Sequence, residues 1–550
     1  MPAVTIVLVF LLAVVVSGFM ARLLPLKVPL PLLQIAIGAG MSYVFGFDVV
    51  LDPELFFLLL IPPLLFLDGW RIPKGAFFRD WKPILTLAIG LVVFTVIGVG
   101  LLIDWLIPSV PLAVAFALAA ILSPTDPVAV SAMTANSPLP SRLTHILEGE
   151  SLLNDATGLV CFSFAVAAVL TGSFSLASAS MSFIVVGGGG LLIGLAVTWG
   201  IGAFNHFLVR RTGEEPATQI LISVLIPFAA YLAAEHIHVS GILAAAVAGI
   251  AMHYSDMAGR PLAATRMQRS AVWDTVQIAL NGIIFVILGE QLPGILRSLP
   301  EVAASAGAGN EWRLLGYLVV ITLALGALRF LWVWVSMRLT VFRAAWRGET
   351  RDMPATRLIL VTATAGVRGA ITLAGILTLP LLMPDGSAFP SRDVVIFLAM
   401  GVILLSLLIA SVGLPLLTRG LGGDLPKPGR GDHEESARIA ASEAAIRRIE
   451  QITSEPLADS DATHFRAEAA AHLLDVYRRR IDYGDASGED MESMQRLAEE
   501  ERRLRVAALG AERDELYRLR RTRSIDDDLH QQLLREIDLM EASLLRPPVH

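Results

Sequence analysis

Charge is scarce in this sequence: Asp, Glu, Lys and Arg make up only 17% of its 550 residues, against roughly 25% in an ordinary soluble domain. Too few charges are present to cover a water-exposed surface of the size such a chain would need. Cysteine is nearly missing. The single residue, Cys161, lies inside an apolar run, so one chain can form no disulfide, and no CxxC or Cys/His spacing offers a zinc site. No block of Lys and Arg stands out against the net charge of −7, so the electrostatic footprint of a nucleic-acid binder is lacking. The N-terminus, Met1-Pro2-Ala3-Val4, has no basic stretch ahead of the apolar run 4–24 and no small-residue cleavage pattern after it. That run is expected to be a retained first span.

What the chain does have is apolar sequence, 55% of its residues. Runs of about twenty apolar residues mark membrane helices, and about thirteen follow one another, among them 83–107, 111–134, 145–171, 271–297, 313–341, 355–383 and 392–418. Basic residues concentrate in alternate loops: Arg22 and Lys27, then Arg71, Lys74, Arg79 and Lys82, then Arg142, then Arg210 and Arg211. The alternation continues through Arg260, Arg266 and Arg269 to Arg343, Arg347 and Arg351, with the intervening loops nearly bare before Arg297. By the positive-inside rule this places the N-terminus outside and the C-terminus in the cytoplasm. The sequence predicts an all-α polytopic membrane protein with a membrane domain at 1–421 and a helical cytoplasmic tail at 422–550. In that tail Ala467, Ala470, Leu474, Tyr477 and Ile481 follow a helical period, and a second helix is expected over 491–520.

Two spans carry groups that lipid does not tolerate without a reason. In Ser123-Pro124-Thr125-Asp126-Pro127 the two prolines lack N–H groups and deprive the carbonyls of Ala120 and Ser123 of helical partners. Broken backbone at membrane depth survives only where it faces protein or water, and such breaks supply cation ligands. In Glu148-Gly149-Glu150-Ser151-Leu152-Leu153-Asn154-Asp155, Glu150 and Asn154 are four apart, as are Ser151 and Asp155. The spacing therefore puts four oxygen-bearing side chains on two adjacent helical stripes. A desolvated carboxylate favours its neutral form. It can be neutralised by one proton or by one cation, and that competition suffices for coupled exchange. The alternative reading makes Asn154 or Asp155 the cap of a helix starting at Ala156.

Arg329 and Arg368 interrupt apolar runs and are expected to need buried partners, unless they snorkel to an interface. Asp68, in Pro62-Pro63-Leu64-Leu65-Phe66-Leu67-Asp68, is either a pathway carboxylate or an interfacial one beside Arg71. Glu235 and Glu290 lie near span ends and are expected at the interface. An ion channel and an intramembrane hydrolase using Asp126 and Asp155 are the rival classes.

In this order, Ser123-Pro124-Thr125-Asp126-Pro127, Glu148 through Asp155, and Gly366-Val367-Arg368-Gly369-Ala370 resemble the signatures of the NhaP/NHE-type sodium/proton antiporters, over about residues 1–420. The chain is similar to bacterial members with a cytoplasmic tail. The resemblance implies inverted repeats and two crossing discontinuous helices, holding Thr125-Asp126 and Gly366-Val367-Arg368. It also implies a homodimer working by alternating access in the bacterial plasma membrane, with no cofactor and no enzymatic activity. Its ligands would be monovalent cations, protons and lipid. Asp155 would be the central carboxylate, with Na⁺ held by Asp155, Asp126, Ser151 and Thr125, and with Asn154 in support. Glu150 would pair with a buried arginine, matched here to Arg329, and Asp68 lies near a pathway glutamate of relatives. The Asn154-Asp155 pair goes with electroneutral one-for-one exchange of Na⁺, or of K⁺ or Li⁺, for H⁺, serving pH and sodium homeostasis. A K⁺-selective exchanger is the nearest rival.

Overall fold

The computed structural model describes residues 3–24, 28–45, 53–134, 139, 141–172, 176–259, 262–307, 309–346, 356–419, 430–454, 460–485, 489–522, 529, 533–534 and 536–541. Helix follows helix, because only internally hydrogen-bonded backbone is tolerated in lipid. The first three are α1 (Ala3–Leu23), α2 (Leu30–Phe45) and α3 (Pro53–Arg71). A short α4 (Lys74–Arg79) leads to α5 (Trp81–Leu85), which passes through a π-helical stretch, Thr86–Leu91, into α6 (Val92–Leu106). Next come α7 (Leu112–Leu122), α8 (Pro127–Thr134) and the long α9 (Ser141–Thr171). The chain continues through α10 (Leu176–Thr212), α11 (Pro216–His236), α12 (Gly241–Gly259), α13 (Ala263–Arg297) and α14 (Leu299–Ser305). Last in this unit are α15 (Glu311–Trp346), α16 (Thr356–Thr364), α17 (Ala370–Leu377) and α18 (Arg392–Thr418).

Eight helices among the described residues are long and apolar enough to cross a membrane, α9, α13, α15 and α18 among them. The expected run at 392–418 coincides with α18. The runs at 271–297 and 313–341 belong to longer helices that extend past the apolar stretch. Those at 111–134 and 355–383 are each split in two, at 123–126 and 365–369.

Two sets of helices pack by different means. In one, α2 lies on α13 and α3 on α12, and glycines let the backbones meet. A Cβ on Gly38 would overlap the carbonyl of Val286, and one on Gly289 would overlap that of Ile35. Gly69 and Gly249 repeat the arrangement against Ala246 and Phe66. Each glycine faces a carbonyl three residues before its partner glycine, so the two contacts are reciprocal and share one geometry. Small residues at helix crossings are how membrane helices gain packing when lipid supplies no hydrophobic drive. The second set surrounds α7, whose Ala115, Ala117, Ala119 and Ala120 are fully buried against α6, α9, α17 and α18.

Residues 1–425 form one compact unit and 426–550 a second. The second contains α19 (Arg430–Ser454), α20 (Ser460–Asp485) and α21 (Glu489–Arg521). Two of these were expected. The helix α19 was not, and it packs on α20.

Candidate ion-binding site

The two broken stretches meet. The backbone N–H of Asp126 donates to the carbonyl of Val367 (2.8 Å), and Arg368 Nε donates to the carbonyl of Leu122 (2.9 Å). At this crossing α7 and α16 end while α8 and α17 begin. Helix N-termini carry partial positive charge and C-termini partial negative charge. Asp126 stands at the positive ends. It reaches the N–H of Ala129 in the first turn of α8, at a long 3.4 Å, and lies over Gly369, where any Cβ would overlap its carboxylate. Arg368 serves the negative ends, donating to Leu122 and to the carbonyl of Gly366. Its own N–H is taken by Ser406 Oγ (3.2 Å). The snorkelling alternative does not describe Arg368, which is buried at 5% exposure.

The carbonyl of Ala120 is not left free by Pro124, contrary to what the sequence suggests. Ser123 folds back on it through both its N–H (3.3 Å) and its hydroxyl (2.8 Å). The carbonyl that faces the site is that of Thr125, and Ser151 Oγ donates to it (2.8 Å).

The helix α9 runs unbroken through Asn154 and Asp155, so neither caps a helix at Ala156. Its first stripe braces the structure: Glu150 is paired with Arg329, and Asn154 Nδ2 donates to Thr125 Oγ1 (3.0 Å). Asn154 Oδ1 is buried with no hydrogen-bond partner among the described residues. The second stripe, Ser151 and Asp155, opens on a cavity of about 40 Å³ lined also by Asp68, Thr125, Asp126, Asn281, Gly369 and Thr372. That volume exceeds what one water requires, roughly 10–15 Å³ on the same measure. Asp155 is 5% exposed and has no hydrogen bond or ion pair to any described residue.

Asp68 enters this cavity from α3, so it is not the partner of Arg71, which bonds Asp274 and Gln277 instead. One turn further, buried Lys74 closes α3 by donating to the carbonyls of Gly69 (2.7 Å), Trp70 (2.7 Å) and Ile72 (2.9 Å). Burial pushes its ammonium from the ordinary 10.5 down to about 8.

The cavity thus gathers Asp68, Thr125, Asp126, Ser151 and Asp155. Asn154 stands behind them, while Glu150, Arg329 and Arg368 lie outside it. Glu290, near the end of its span, is 3% exposed and accepts from the amide of Gln291 (2.7 Å) where α13 meets α2. Asn281 and Thr372 were not anticipated. A lone amide within Ile278-Ala279-Leu280-Asn281-Gly282-Ile283 is the kind of signal that marks a pathway. Thr372 gave none, since threonine in a span usually bonds its own helix.

A helical membrane fold whose broken helices meet beside a buried carboxylate, unpartnered among the described residues, defines a polytopic ion carrier. The chain belongs to the sodium/hydrogen exchanger family: the family model for the transmembrane sodium/hydrogen exchanger matches residues 7–420. It is 43% identical over 550 residues to an Escherichia coli (strain K12) protein described as an uncharacterized Na(+)/H(+) exchanger, covering 98% of each chain. A sodium, potassium, lithium and rubidium/H(+) antiporter of Bacillus subtilis (strain 168) is 37% identical over 546 residues, 98% of this chain and 78% of that one. Among solved structures, the sodium proton antiporter of Methanocaldococcus jannaschii at pH 8 shares the fold with a TM-score of 0.55. The match is 17% identical and covers 77% of this chain and all of that one.

Proposed function

We infer that the protein exchanges Na⁺, and with it K⁺ or Li⁺, for H⁺ across the bacterial plasma membrane by alternating access. The observation that carries this reading is Asp155. A carboxylate this buried, with no donor or cation among the described residues to satisfy it, is costly as a bare anion. It is neutral when it holds a proton and compensated when it holds a cation. Loading one expels the other, and that is one-for-one antiport. Asp126, Ser151 and the Thr125 carbonyl supply further oxygens, the ligand type that hard cations favour. Asp68 adds a carboxylate from α3, on the wall that the glycine-packed helices contribute. Movement between that set and the set around α7 would open the cavity to one side and then the other, and pairing through the former would give a homodimer. The alternating loop charges support a C-terminal tail in the cytoplasm. The name of the Bacillus subtilis relative motivates testing several alkali ions rather than sodium alone.

The test is a pH-sensitive dye in sealed proteoliposomes, with Na⁺, K⁺, Li⁺ or Rb⁺ added in turn to the wild type and Asp155→Asn. Cation-induced proton movement in the wild type that disappears in the variant is expected. No response to any of the four ions from neutral to alkaline pH would exclude antiport.

A further inference from the structure

The carboxylate-bearing part of the cavity accounts for the proton and for part of the cation's coordination. Two other side chains on the wall, Asn281 of α13 and Thr372 of α17, carry neutral oxygens, and neither is hydrogen-bonded to any described residue. For Thr372 this is unusual. Thr322, Thr362 and Thr364 each return their hydroxyl proton to the carbonyl four residues back, all at 2.8 Å. Thr372 stands in the first turn of α17, so the carbonyl four residues back belongs to Arg368 in the break and is not part of a helix. The hydroxyl is left for the cavity although the residue is only 1% exposed. Asn281 is the corresponding case on α13: an amide in a run of apolar residues, where an unsatisfied polar group is costly, and the cavity is what it faces.

We propose that Asn281 and Thr372 are neutral oxygen ligands of the transported monovalent cation and set which alkali ion the site prefers. The assignment rests on the antiport reading above. Its chemistry separates the two substrates. A carboxylate binds either a proton or a cation, whereas amide and hydroxyl oxygens bind no proton at neutral pH. Their contribution therefore falls on the cation-loaded state alone. Because α13 and α17 belong to different helix sets, the distance between these oxygens is set by how the two sets approach, and that spacing discriminates among ions of different radius.

The experiment uses the full-length protein in proteoliposomes, with KM for Li⁺, Na⁺, K⁺ and Rb⁺ measured at several pH values for wild type, Thr372→Val, Thr372→Ser and Asn281→Leu. Losing one neutral ligand should raise KM for the preferred ion by about five- to tenfold. It should also change the KM ratios between ions, while saturating cation restores the rate. Thr372→Ser, which keeps the hydroxyl, should keep the wild-type ratios. Wild-type transport with unchanged ratios in both Thr372→Val and Asn281→Leu overturns the assignment alone, and so does equal loss in Thr372→Val and Thr372→Ser. A wild type that moves no protons with any ion overturns the antiport reading and the assignment with it. A variant that reconstitutes poorly is read by the shift in its unfolding temperature on adding each ion in detergent, with the same ratios expected.

Discussion

Glu150 of α9 and Arg329 of α15 form a two-pronged ion pair, Nη1 on Oε1 and Nη2 on Oε2, with both side chains at most 3% exposed. Arg329 Nε also donates to the carbonyl of Thr362 (2.9 Å), so one guanidinium ties α9 and α15 to the helix that precedes the second break. Removing one member of a buried pair strands the other charge, at about 3–5 kcal/mol, whereas replacing both by groups of similar volume is often near neutral. Arg329→Met should therefore lower the unfolding temperature in detergent far more than Glu150→Gln with Arg329→Met together. Equal losses in the single and double variants would show that the pair's charge is not what holds these helices.

Two glycines leave no room for a side chain, one at a helix crossing and one at the site. At Gly249 an added Cβ meets the backbone of Phe66 and Trp70, which cannot turn aside. Gly249→Ala should cost at least about 1–3 kcal/mol of stability as α3 and α12 are forced apart. At Gly369 the obstruction is Asp126, both its carboxylate and its Cβ at 2.5 Å, and because the backbone fixes that Cβ, rotating the side chain does not clear it. Gly369→Ala should push the backbone of Asp126 away from the crossing, where its N–H holds the Val367 carbonyl, and so cost stability as well as transport. Thermal unfolding beside dye assays on both variants checks these expectations, and wild-type stability with wild-type transport in Gly369→Ala would overturn the second.

The difference between those glycines also marks what could be read from the sequence. Asp126, Ser151 and Asp155 were legible because a proline break and carboxylates at helical spacing stand out against an apolar background. The partner of Glu150 lies 179 residues away, and nothing local selects Arg329 over Arg368, so that pairing came only through the family resemblance. The wall made by Asn281 and Thr372 was illegible for a different reason. A threonine's usual helical hydrogen bond is lost only because the break falls four residues earlier, and that is a fact of the fold.

Lys74 gives stability a pH dependence whose sign is fixed by its burial. The folded ammonium titrates at about 8 and the unfolded one near 10.5, so between those values the unfolded chain binds more protons than the folded one. Stability rises with pH wherever the unfolded state holds the excess. Raising pH from about 8 toward 10.5 should therefore relieve the cost of the buried charge and add to stability. Lys74→Met should flatten that part of the profile. Thermal unfolding against pH for the two proteins is the check, and parallel profiles would place the titration elsewhere.

Charge movement follows from the residue beside Asp155. Asn154 is an amide fixed to Thr125 and takes no proton, so in this reading each turnover of Asp155 carries one positive charge either way and moves no net charge. A carrier that moved one net charge would feel roughly 2.3 kcal/mol for each 100 mV across the membrane. Clamping the proteoliposome potential at either sign should accordingly leave the rate of Na⁺-driven proton movement unchanged. Acceleration at one sign and slowing at the other would reject one-for-one exchange. It would require a second carboxylate to titrate in the cycle, and Asp68 and Asp126, on the same cavity, are the groups to replace next.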